Sequence, residues 1–139
     1  MATLKISDLS VGDWVRYGGI DYQVKSIDGA FERVTLIGNK EQRDESIYAL
    51  HPILITAEIL EKNGWVFHKG SRWWVCEIDK DTRANVWLGE NGGCRVEVSV
   101  MYGELRTWSN YADVKLANAH IHLLQHALRL AGVDKEINL

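Results

Sequence analysis

The sequence predicts an α+β fold: a small SH3-like β meander, then a helix, an antiparallel sheet and a second helix. Three observations carry this expectation. Short runs with period-two alternation, bounded by Gly, Asp and Asn clusters, recur from Asp13 to Leu116, as half-buried antiparallel strands do. Two stretches, near 56–63 and 118–131, carry helix signals instead. Six Trp residues, five of them between positions 65 and 108, supply the large aromatics that strands and the cores of small domains favour.

The elements follow in order. Leu4, Ile6 and Leu9 read as a lead-in segment or short helical turn. Trp14-Val15-Arg16-Tyr17 is a strand turned by Gly18-Gly19, a tight-hairpin signal. Ile20, Tyr22 and Val24 alternate with Asp21, Gln23 and Lys25, which marks the next strand. Asp28-Gly29 turns the chain into a third strand from Phe31 to Ile37. The polar stretch 38–50 reads as a loop or crossing segment, with a short strand from Ser46 to Leu50. It is the expected boundary between a β lobe (1–50) and an α+β lobe (51–139) that together form one compact unit. His51-Pro52 breaks regular structure there.

The second lobe opens with a short helix. Thr56 is its N-cap, Glu58 lies in its first turn, and Lys62-Asn63-Gly64 ends it. Strands then follow over 65–68, 72–78, 84–88 and 95–102, with further strand over 105–108 and through Val114 and Leu116. From Asn118 to Ala131 the apolar positions Ile121, Leu124, Leu128 and Ala131 form a stripe widened by Leu123, Ala127 and Leu130, as on an amphipathic helix. By alternation, Trp14, Trp65 and Trp73 fall with core positions. Trp74, Trp87 and Trp108 fall on the opposite side of their strands.

Bulk composition narrows the function. The chain has 139 residues, 46% hydrophobic and 25% charged, with one Pro, which is ordinary globular composition. A formal net charge of −3 argues against a protein that lives on duplex DNA. No apolar run approaches the roughly 18 residues of a membrane span, and the first nine residues lack the apolar core of a secretory signal. A cytoplasmic setting with two free thiols, Cys76 and Cys94, is expected. Of the two, Cys94 is expected to be the more exposed.

Three stretches resemble a set of uncharacterised small proteins of gut Bacteroidales, their phages and their mobile elements. They are Leu9-Ser10-Val11-Gly12-Asp13-Trp14-Val15, the run from Pro52 to Trp65, and His122-Leu123-Leu124-Gln125-His126-Ala127-Leu128-Arg129-Leu130. The resemblance implies a phage or mobile-element context in a bacterial host cell and a mostly β middle. It implies no activity.

Candidate chemistry is sparse. His122 and His126, four apart on a helix, share a face and suit a divalent metal. The Glu of a His-Glu-x-x-His helix is missing, because Leu123 follows His122. A metal-dependent hydrolase is the least favoured of three readings, and no cofactor is expected. No Gly-x-Ser-x-Gly elbow or phosphate-cradling loop occurs. The aromatic-and-basic group carries more: Trp74, Trp87, Trp108, Tyr102, Arg95 and Arg106 suit a sheet face that grips a partner. Trp, Tyr and Arg dominate protein interfaces, and the same residues stack nucleobases. The expectation is therefore a non-enzymatic binding or assembly protein with a protein partner or self-association. A nucleotide-sequestering anti-defence protein is the alternative.

Overall fold

The computed structural model describes residues 4–102 and 107–139, with the backbone alone at Tyr111. It is mostly antiparallel β with two short helices, an α+β protein. The chain divides into two compact units. One comprises Met1–Leu54 with His120–His122, the other Ile55–Ala119 with Leu123–Leu139.

The first unit opens with a 3-10 turn over Ile6–Asp8 and a four-stranded meander: β1 (Trp14–Tyr17), β2 (Ile20–Asp28), β3 (Arg33–Gly38) and β4 (Glu41–Ser46). Gly18 and Gly19 form the two-residue link between β1 and β2, both at positive φ. That is the turn whose twist matches a hairpin. Val15, Tyr22, Val24, Val34 and Leu36 line one face and bury against Leu4, Leu9, Ile47 and Leu50. Trp14, expected in the core, is only half-buried, because Val15 takes the inward position on β1.

The polar stretch 38–50 is not a loop. Gly38 pairs with Glu41 around Asn39-Lys40, and Glu41–Ser46 forms a full edge strand against β3. Its polar composition hides it from an apolar-periodicity reading, yet charge is how sheet edges resist further pairing. Arg43 bonds Glu41 and Glu45 along the strand and stacks 5.0 Å from the Tyr17 ring centroid. The buried Tyr22 hydroxyl donates to Glu41. Ile47–Ala49 is a 3-10 turn rather than a strand, capped by the Ser46 hydroxyl.

In the second unit, α1 spans Ala57–Lys62, and the Thr56 hydroxyl accepts the Ile59 N–H at 3.2 Å. Gly64 at φ +86 closes it. Trp65 N–H reaches Leu60 O and Gly64 N–H reaches Glu61 O, the paired bonds of a Schellman motif. Five antiparallel strands follow in sequence order: β5 (Val66–His68), β6 (Trp73–Asp79), β7 (Thr82–Leu88), β8 (Cys94–Tyr102) and β9 (Thr107–Leu116). From Thr107 onward the stretch expected to hold two short strands is thus one β9, while Leu105 and Arg106 lie outside the described residues. It carries a register shift against β8 at Val98/Ser99.

Helix α2 spans Ile121–Leu130, starting later than its sequence pattern. Leu124, Ala127 and Leu128 are its buried stripe. The C-terminal tail is tied down as well. Asn63 Nδ2 donates to Asn138 O at 2.8 Å and Asn63 Oδ1 accepts from Asn138 N at 2.7 Å, while Val133 and Ile137 are buried. No helix among the described residues is long and apolar enough to cross a membrane.

Candidate ligand-binding site

Register decides which side chains of the five-stranded sheet share a face. Trp74 sits opposite Val86, Cys76 opposite Ala84, and Val86 and Ala84 oppose Val96 and Val98. All of these are buried and form the inner face. The residues between them form the outer face: Trp73, Val75 and Glu77 on β6, Arg83, Asn85 and Trp87 on β7, Arg95, Glu97 and Ser99 on β8.

This corrects the expected facing of two tryptophans. Trp74 is an inner-face residue, 8% exposed, with its ring 5.1 Å from that of Phe67 on β5. Trp73 is the one that shares the outer face with Trp87. The run Trp73-Trp74-Val75-Cys76 is apolar at every position, so alternation within it has no phase, and the phase comes from pairing with β7. Cys94 is likewise buried rather than exposed, as is Cys76. Burial pushes the Cys94 thiol up to about 11 and raises Cys76 too, so both are neutral, unreactive thiols near pH 7.

One transverse row of the outer face stands out. His68 pairs with Trp73, and Trp87 pairs with Arg95, which pairs with Lys115. Trp73 and Trp87 each lie one residue beyond the Trp74–Val86 pair and line the same cleft. Trp73, Trp87, Arg95 and Lys115 are among the residues that line a cleft of about 530 Å³. That volume lies in the range of small-ligand sites, roughly 300–1,000 Å³. Trp87 is 40% exposed, unusual for a residue that large. Its indole lies over Gly89, where an added Cβ would come within 3.0 Å of a ring carbon.

Ion pairing fixes one cation of the row, Arg95. Arg95 makes two bonds to the Asp113 carboxylate and lies 3.8 Å from Glu97. The Arg95 bond holds the Asp113 carboxyl below its ordinary value. The guanidinium is therefore held in place by carboxylates of its own sheet, its Nε–Nη2 edge taken up by Asp113.

Deeper along the same face the chemistry is polar. Asn85 Nδ2 donates to Ser99 Oγ at 3.3 Å, and Ser99 Oγ donates to Asn110 Oδ1 at 3.1 Å. The Arg83 guanidinium covers the Trp108 ring at 4.2 Å. Among the described residues, the buried Asn85 Oδ1 and Arg83 Nε have no hydrogen-bond partner.

The expected site residues therefore do not form one cluster. Trp87 and Arg95 meet in the cleft. Trp108 and Tyr102 lie at the other end of the sheet; Tyr102 is seven residues along β8 from Arg95, about 23 Å at ~3.3 Å per residue. Arg106 lies outside the described residues. Trp73 and Lys115 were missed. Lys115 was legible, because Asp113 and Lys115 alternate with Val114 and Leu116.

His120 and His122 are both buried, their rings stacked 5.7 Å apart, and burial lowers the His120 pKa. His126 is half-buried. No group of three or more His, Cys, Asp or Glu suited to a metal ion occurs among the described residues.

Comparison with protein-family models, with curated proteins and with solved structures finds no significant match.

Proposed function

We propose that this chain is a non-enzymatic binding protein that captures a nucleotide-class ligand on the outer face of its five-stranded sheet. The observation that carries the reading is the 530 Å³ cleft, with two indoles and two cations, Arg95 and Lys115, in one transverse row. Indoles stack on any nucleobase, each stack adding about 1–3 kcal/mol. Lys115, cross-strand neighbour of the Asp113-bound Arg95, answers the phosphate. In the mobile-element setting that the resemblance implies, such a protein withdraws a nucleotide signal from its host. The first meander is read as an SH3-like lobe.

The test is a titration of intrinsic Trp fluorescence with purine and pyrimidine nucleotides. Quenching that disappears in Trp87→Ala supports the proposal. A flat response across the panel overturns it.

A second reading has its own observation. Edge strand β5 is exposed at all three residues, including the apolar Val66 and Phe67. Exposed apolar edges favour strand addition, here self-association of two copies through β5. Light scattering on a sizing column at micromolar concentration decides it: a monomer removes this reading, and a dimer broken by Val66→Lys supports it.

A further inference from the structure

Trp87 is a wall of two clefts, not one. Beyond the cleft described above, a second of about 390 Å³ lies at the hairpin end of the sheet, lined by Phe67, Arg72, Trp74, Trp87, Glu90 and Asn91 among others. Each cleft joins aromatic walls to at least one cation. The first has Trp73 with Arg95 and Lys115; the second has the exposed Phe67, backed by the buried Trp74, with Arg72. Glu90 and Asn91 add an acceptor and an amide to the second, the groups that read the edge of a nucleobase.

Two details indicate that this arrangement is built rather than incidental. Gly89 leaves room for the Trp87 indole, and a Cβ there would fall 3.0 and 3.2 Å from its ring carbons. Arg72 adopts φ +63 at the end of the β5–β6 turn, a left-handed conformation that glycine takes without strain. From that position Arg72 is one of the residues that line the second cleft.

We infer that the two clefts are subsites for a single dinucleotide, one base in each, with Trp87 between them and Arg72 and Lys115 serving the phosphates. This rests on the nucleotide reading above and specifies its ligand class. Linking two bases turns the second binding event into an intramolecular one, so a dinucleotide gains over a mononucleotide without any new kind of contact.

Calorimetry on the full chain with AMP, pApA and pApApApA tests the inference. The expected result is one pApA per chain, bound about tenfold or more tighter than AMP, with no further gain for the tetranucleotide. Arg72→Gly keeps the turn conformation and removes the guanidinium. It is expected to raise the melting temperature while bringing pApA affinity down towards that of AMP; a purely structural arginine would not couple those two changes. AMP binding as tightly as pApA, two pApA per chain, or an unchanged pApA-to-AMP ratio in Arg72→Gly would each overturn the dinucleotide assignment while leaving nucleotide binding intact. A further large gain for pApApApA assigns a longer single strand and overturns it too. Absence of binding by all three probes overturns the nucleotide reading itself, and this inference with it.

Discussion

Replacing Trp74 and Trp87 separately by Ala tests the face assignment on which the site depends. The two residues lie on neighbouring strands of one sheet, yet Trp74 is 8% exposed and Trp87 is 40% exposed. A buried tryptophan removes up to about 250 Å² from water at ~25 cal/mol per Å², a ceiling near 6 kcal/mol. Partial collapse of the void brings the expected cost of Trp74→Ala to about 3–5 kcal/mol. Trp87 buries less of its ring and leaves no enclosed cavity when truncated, so Trp87→Ala should cost about 1–2 kcal/mol. Urea unfolding followed by far-UV circular dichroism reads both values without relying on the deleted fluorophores. The same variants should differ in the opposite sense in binding: Trp87→Ala loses nucleotide-induced quenching. Equal destabilisation by the two variants, or a neutral Trp74→Ala, would refute the reasoning, because it would mean that β6 presents its other face to the core.

Three further outcomes are expected. Asn63→Ala removes both bonds to the Asn138 backbone and should cost about 1–3 kcal/mol, with faster hydrogen exchange over residues 133–139; unchanged exchange there would discount the clamp. Lys40→Gly relieves a residue at φ +66 in the Asn39-Lys40 turn and creates the Asn-Gly pair that such turns favour. It should stabilise the chain by about 0.5–1 kcal/mol, and a lower melting temperature would contradict the turn assignment. Cys94, neutral until about pH 11 when folded and until about pH 9 when unfolded, binds its proton more tightly in the native state. Stability should therefore be unaffected by this group below pH 9 and fall as pH rises from about 9 to 11. Cys94→Ala should flatten that slope, and an identical slope in the variant would remove Cys94 as its cause.

Much of the fold was legible because local chemistry is decisive where turns and caps are concerned. Gly18-Gly19, Thr56 and Asn63-Gly64 each do in the structure what their residue types favour. The outward positions of β8 and β9 were legible too, since Arg95, Glu97, Asp113 and Lys115 alternate cleanly with Val96, Val98, Val114 and Leu116. Strand β4 was hidden because every residue in it is polar. An edge strand needs no apolar face to be held by a neighbour's hydrogen bonds.

The candidate site was half legible for a related reason. Sequence by itself determined that this is an antiparallel α+β protein with an excess of tryptophan on its second sheet, and that Trp87 and Arg95 each alternate with the apolar side of their own strand. Tertiary structure decided which member of Trp73-Trp74 joins them, because an unbroken apolar run carries no phase and only pairing with β7 supplies one. It also decided that Trp108 and Tyr102 lie at the far end of the sheet, and that Trp87 stands between two clefts. Those are matters of distance across and along paired strands, set by cross-strand register rather than by any one strand's own pattern.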